Sequence, residues 1–295
     1  MGPRAIEKPA ADWNRVPPTD IAVDCHVHLF PERLFEAIRR WFAQAGWAIP
    51  YPHRTGEVLD LLRAFGVREC WALPYAHKPG VAAELNAWMA DVQREHAMVR
   101  GFFAVHPDDD VADLARRAVD DHGLCGMKIH CEVQQVAISD PRLDPAFDLL
   151  ERRGLPCVLH SGDAPYPYTR PHLDVSRVAE RLRRNPALHA VIAHLGAMQT
   201  AEYLKLMDQY PGLHLEISFT KAPGVAELDK FDWNGLARYA ERILFGSDFP
   251  NLTFIYAEQV ENWLALDWVR QNHDAFFGGN AHRLLSRKGD MRLGA

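Results

Sequence analysis

The chain has 295 residues, 48% of them hydrophobic and 24% charged, the proportions of an ordinary soluble globular protein. With 33 basic against 39 acidic side chains the net charge is −6, which argues against nucleic acid or an anionic membrane as a partner. No run approaches the roughly 20 apolar residues of a membrane-spanning helix. The opening MGPRAIEKPAADWNRVPP has no apolar core for secretion and places Ile6 where a myristoylation motif needs Ser or Thr, so a cytoplasmic protein is expected.

Residues 1–18 read as a polar, Pro-containing lead-in, and 19–295 as one domain. The first strand-like run is IAVDCHVHL, 21–29. Side chains alternate along a strand, so Ile21, Val23, Cys25, Val27 and Leu29 are expected on one face. Asp24, His26 and His28 fall on the other, as suits a barrel strand whose interior holds a site. The segment 31–55 is longer than a plain connection and predicts a helix plus a loop covering the barrel mouth. Its Trp41, Phe42, Trp47 and Tyr51 are read as core aromatics, with a lid or a homodimer contact as the alternatives.

Seven more strand-like runs follow, at 67–75, 99–107, 124–131, 156–162, 189–196, 213–219 and 243–250. Between them lie segments of helical periodicity, for example TGEVLDLLRAFG and DPAFDLLERRG, several ending at Gly or Pro as helix stops do. Strict alternation of strand and helix argues for parallel strands joined by crossovers, and eight such units predict a single-domain (β/α)8 barrel. A doubly wound sheet is the alternative, but no GxGxxG follows the first strand. The five cysteines, Cys25, Cys70, Cys125, Cys131 and Cys157, form no CxxC pair and are expected as free buried thiols.

Barrel chemistry sits at the C-terminal ends of the strands. There the sequence places His26 and His28 (strand 1), Lys128 and His130 (strand 4), His160 (strand 5), His194 (strand 6) and Asp248 (strand 8). One such histidine is usually a satisfied core residue. This many ionisable groups at one end are costly to bury unless paired or metal-bound, and imidazole and carboxylate are good ligands for Zn2+ or another first-row ion.

The ordered set DCHVHLFPE, GMKIH, LHSGD, AHLG, ILFGSDFP and GGNAHRLL resembles the amidohydrolase superfamily. It is most similar to the amidohydrolase-related branch of TIM-barrel metal-dependent hydrolases that includes aminocarboxymuconate-semialdehyde decarboxylase. The resemblance implies a divalent metal, zinc foremost, held by His26, His28, His160 and Asp248, with Asp248 and His194 as catalytic groups. One ion is expected. Two would require a carbamylated Lys128 and His194 as a ligand; otherwise Lys128 stays an ammonium that binds a substrate carboxylate.

A metal lowers the pKa of bound water to about 7, and a carboxylate beside it can accept the proton. The expected activity is therefore hydrolysis of an amide, lactam or lactone of a small, anionic substrate, with Asp248 as general base. Non-oxidative decarboxylation of a small unsaturated or aromatic acid is the alternative on the same scaffold. Lys128, His130, Tyr75 and Arg170 are the candidate substrate contacts, with His77, Lys78, Tyr166, Tyr168, Ser218 and Lys221 as further loop candidates. Glu132 is read as a solvated rim group, Ser247 as a support for Asp248, Asn280 as the cap of the closing helix, and Asp163 and Asn251 as lying near strand ends.

Overall fold

The computed structural model describes residues 12–162, 170–221 and 231–286. Eight strands form one sheet in sequential order, each neighbouring pair parallel. They are β1 (Ile21–Val27), β2 (Val67–Ala72), β3 (Val99–Ala104), β4 (Gly126–His130), β5 (Pro156–His160), β6 (His189–Ile192), β7 (Leu213–Glu216) and β8 (Ile243–Leu244). Main-chain bonds from Cys25 N–H to the Phe245 carbonyl (3.0 Å) and from His28 N–H to the Phe249 carbonyl (2.8 Å) bring β8 back to β1, so the sheet is a nearly closed barrel. This is the single-domain TIM barrel expected from the alternation of strand and helix.

The helices fall between the strands: α1 (Glu32–Gln44) and α2 (Thr55–Ala64), α3 (Ala82–Glu95), α4 (Val111–Arg116), α5 (Cys131–Gln134) and α6 (Asp144–Arg153), α7 (Val175–Arg184), α8 (Thr200–Gln209), α9 (Tyr256–Leu264), α10 (Asp267–Gln271) and α11 (Asn280–Ser286). Local chemistry sets several ends. Asp110 and Asp174 accept backbone N–H bonds at the starts of α4 and α7, as N-caps do. Asn280 does not cap α11. Its amide donates to the carbonyls of Ala240 and Ile243 (2.8 and 2.6 Å) and so moors the closing helix to the start of β8. None of the described helices is long and apolar enough to cross a membrane.

Two apolar layers result. Val23, Cys25, Trp71, Leu73, Phe102, Val158, Val191 and Leu244 pack together with Ala281 and Leu284 of α11, filling the barrel. The larger core, with Val27, Leu29, Phe35, Phe65, Tyr256 and Trp263 among its members, lies between barrel and helices. Strict alternation along β1 therefore fails. Its pairing with β2 shifts register between Asp24 and Val27, and this bulge re-aims the side chains. Val23 and Cys25 join the inner layer, whereas Val27 and Leu29 join the outer one.

Asp24 accordingly does not share a face with the imidazoles. It is fully buried and accepts from Ser247 Oγ (2.6 Å) and from the hydroxyl of Tyr256 on α9 (2.9 Å). Burial pushes its carboxyl up to about 7 against those hydrogen bonds. The Ser247 hydroxyl is turned to Asp24 rather than to Asp248 and accepts from Phe249 N–H (2.9 Å), tying the turn after β8 to the outer side of β1.

The 31–55 segment supplies α1 and a strap. Arg39 on α1 donates to the carbonyls of Tyr51, Pro52 and Pro250, pinning the strap to the β8 turn. Tyr51 is buried against Phe249 and Trp13. Trp41 and Trp47 are not core residues, being 63% and 42% exposed. Four cysteines are buried and Cys125 is partly exposed; all five are free.

Candidate metal centre

His26 and His28 stand at the end of β1 and Asp248 in the turn after β8. His26 Nε2 and His28 Nε2 are 3.3 Å apart, and Asp248 Oδ1 lies 3.2 Å from the first and 3.0 Å from the second. The turn is built for this approach. Asp248 adopts a left-handed backbone (φ 72), and its N–H donates to the His26 carbonyl at 2.8 Å. Gly246 is required beneath it, since a Cβ there would meet Glu216 Oε2 at 2.7 Å and His26 Cβ at 2.8 Å.

The other ring nitrogens are engaged. His28 Nδ1 donates to the Leu73 carbonyl (2.8 Å) and His26 Nδ1 to Glu216 Oε1 (2.8 Å). Each ring's Nε2 is thereby turned toward the other and toward Asp248, and such outer hydrogen bonds are what orient metal-binding histidines. Burial, reinforced by Lys128, holds His26 well below the usual imidazole range, so that ring is neutral at pH 7. Ligand atoms about 2.1 Å from one ion stand about 3.0 Å apart at right angles and about 3.4 Å apart in a tetrahedron. The three observed separations fall in that interval, so His26, His28 and Asp248 fit a single divalent ion.

His160 lies next to this trio rather than within it. Its Nδ1 is 3.2 Å from His194 Nε2, and its ring is stacked on His130 with centroids 3.9 Å apart. Burial lowers the pKa of both His130 and His160 well below the ordinary value. His194 follows β6 in left-handed backbone (φ 56, ψ 33), and its Nδ1 meets the Ser218 carbonyl (3.0 Å) and hydroxyl (2.8 Å). That contact protonates Nδ1 and leaves Nε2 to accept from His160 Nδ1, freeing His160 Nε2 to serve as a ligand.

Lys128 is completely buried, its Nζ 3.5 Å from His26 Nε2. Burial pulls it down to about 8 while Glu216 and Asp248 pull the other way, so it is a cation at pH 7. Tyr75 is 7% exposed and wedges its ring between His28 and His130. Arg170 is ion-paired with Glu132, and His172 also approaches that carboxylate (3.4 Å); Glu132 is thus a paired group, not a solvated one. His77 and Lys78 are exposed, and the Lys221 ammonium lies over Trp233 at 4.9 Å. Asp163, Tyr166 and Tyr168 lie outside the described residues.

Glu216 is the site residue that sequence reasoning missed. It is fully buried at the end of β7 and joins His26, His194 and Ser218 in one hydrogen-bonded cluster. The signal was present in LHLEISF, where Glu216 and Ser218 share a face at the end of an apolar run.

The chain matches the family model Amidohydro_2, described as "Amidohydrolase", over residues 23–287. No curated protein matches it. Among solved structures it is similar to an uncharacterized TIM-barrel protein from Bordetella bronchiseptica, at 20% identity over 92% of this chain and 100% of the other, with TM-score 0.69. It is similar also to a 2,6-dihydroxybenzoate decarboxylase from Rhizobium (17% identity, 92% and 99% covered, TM-score 0.64). A third is the 5-carboxyvanillate decarboxylase of Novosphingobium aromaticivorans complexed with manganese and 4-hydroxy-3-methoxy-5-nitrobenzoic acid (16% identity, 94% and 100% covered, TM-score 0.63). At these identities the solved structures speak for the shared barrel, and the family model, covering nearly the whole chain, places this protein in the amidohydrolase family.

Proposed function

We propose that this chain is a metal-dependent non-oxidative decarboxylase of a small unsaturated or aromatic carboxylic acid. The observation that carries the reading is the setting of Asp248. Its Oδ1 is committed to two imidazoles at 3.0 and 3.2 Å. That oxygen is placed to bind a metal, whereas hydrolysis would also ask this carboxylate to accept a proton from water. Decarboxylation needs no such base. The decarboxylases among the similar structures agree with this choice, as does the manganese bound by one of them.

His26, His28 and Asp248 would hold the divalent ion, with His160 the candidate fourth ligand. When bound, the ion supplies Lewis-acid charge that draws electron density from the substrate's oxygens. Lys128 pairs with the substrate carboxylate inside the barrel, a charge-assisted contact strengthened by burial. Tyr75 and His130 flank the substrate and keep water from it. The bond between the substrate carbon and its carboxyl carbon breaks, carbon dioxide departs, and the electron pair stays on the substrate carbon. His194 takes up a proton from solvent at Nε2 and delivers it there, with His160 beside it at 3.2 Å, so one carboxylate and one proton give one C–H bond and one carbon dioxide.

The test is a panel of hydroxybenzoates and unsaturated acids assayed for carbon dioxide, run beside lactones and amides, on protein loaded with zinc or with manganese. Carbon dioxide with one solvent deuterium incorporated per turnover supports the proposal. Turnover of lactones or amides without gas would overturn it in favour of hydrolysis. Lys128→Met is expected to raise KM for the acid about 10- to 100-fold, the loss of one buried charge-assisted contact.

A further inference from the structure

Glu216 is not among the metal and acid/base candidates, yet its side chain is fully buried in their midst. A carboxylate with no exposed surface is costly unless its oxygens are fully used, and those of Glu216 are used entirely within the site. Oε1 accepts from His26 Nδ1 (2.8 Å), from the main-chain N–H of His194 (2.9 Å) and from Ser218 Oγ (2.7 Å). Oε2 accepts from Ser218 N–H at 2.6 Å. One oxygen therefore touches β1, the turn after β6 and the end of β7.

Two further features are organised around it. Gly246, just beyond the neighbouring strand β8, leaves room for Glu216 Oε2, which any Cβ there would strike at 2.7 Å. His194 sits in left-handed backbone (φ 56, ψ 33), a conformation that side-chain-bearing residues keep only when their surroundings hold it. The Glu216 bond to His194 N–H is such a hold.

We propose that Glu216 is the positioning residue of the centre. It fixes His26 in the Nδ1–H tautomer, with Nε2 presented to the metal, and through the same oxygen clamps the main chain of His194. The metal ligand and the acid/base candidate thus keep one relative geometry. The inference holds whichever reaction the site runs, because it concerns the protein before substrate binds.

The first test is nitrogen-15 NMR of the histidines in metal-free protein, with His26 assigned by His26→Gln. The Nδ1–H tautomer is expected for His26; the Nε2–H tautomer would overturn the proposal. The second uses Glu216→Gln, whose carboxamide can offer an oxygen to only one side of this donor cluster. Zinc affinity, read by competition with a chromophoric chelator, is expected to fall 10- to 100-fold, as losses of such partners do, and the His194 ring resonances are expected to shift. Wild-type zinc affinity with an unmoved His194 signal in a folded Glu216→Gln protein would overturn it. Should that variant not fold, the tautomer measurement on the unmutated chain still decides.

Discussion

His28 and Asp248 meet at 3.0 Å, Nε2 to Oδ1, across the seam where the last strand of the barrel closes on the first. Two hundred and twenty residues of chain separate them, and each is aimed by its own backbone: the bulge in β1 turns the imidazole inward, and the left-handed turn after β8 does the same for the carboxylate. Metal affinity should therefore depend on both. His26→Ala, His28→Ala and Asp248→Ala are each expected to lower bound metal at least tenfold and to abolish turnover, measured by elemental mass spectrometry and by the carbon dioxide assay. Full metal content in all three variants would place the ion elsewhere.

His160 offers a sharper question, because the structure sets it against His194 rather than among the trio. His160→Ala is expected to abolish turnover. If His160 is the fourth ligand, metal content falls as well; if it serves only to pass a proton to His194, metal content stays near one equivalent while turnover is lost.

Asp24 carries a pH signature. Its carboxyl is raised from 3.8 to about 7, chiefly by burial, so the folded chain holds that proton more tightly than the unfolded chain does. Its contribution to stability is whole below about pH 4 and is lost as pH rises toward 7, a change on the order of 4 kcal/mol. Asn at this position keeps an acceptor for the backbone, and the Ser247 and Tyr256 hydroxyls can turn to accept from its amide. In urea unfolding of metal-free protein between pH 4 and 8, the stability of the wild type minus that of Asp24→Asn should fall as pH rises, on top of the rise that the buried His26, His130 and His160 give both proteins. Parallel profiles for the two proteins would refute the assignment.

Trp47 bears on the mouth. It lies 5.6 Å from Phe219, which lies 6.5 Å edge-on from His194, and it is 42% exposed. A flat substrate entering past His194 gains contact area from these rings. Trp47→Ala is expected to raise KM several-fold with kcat little changed, in steady-state assays on the best acid of the panel. A fall in kcat at constant KM would mean that the strap shapes the chemistry rather than the entry.

What the sequence made legible follows from how each feature is encoded. Alternating apolar periods are written over whole segments, so all eight strands and the helices between them could be read. The histidines and Asp248 were readable because an ionisable group at the end of an apolar run is costly to bury, and several of them at one end of a barrel mark a site. The inward facing of Asp24 was misread because a bulge is one residue's worth of backbone, and nothing in DCHVHL distinguishes it from an unbroken strand. Glu216 escaped because a single acid in LHLEISF looks like the exposed half of an amphipathic strand; only the folded barrel brings four donors to it. The pairing of Arg170 with Glu132 depends likewise on the segment after β5 meeting α5.

The closing seam has a consequence for how the protein is made. Two of the proposed ligands lie at the end of the first strand and the third beyond the last, so an ion bound by all three would add a clasp to a ring closed there by main-chain bonds and by the Ser247–Asp24 contact. The entropy of joining so long a loop is met once, at the end, and the clasp cannot engage until residue 248 has left the ribosome. A nascent or truncated chain lacking β8 would hold two imidazoles without their carboxylate. Metal supply would then act on the finished barrel, slowing its opening, and would do little for the chain while it is still growing.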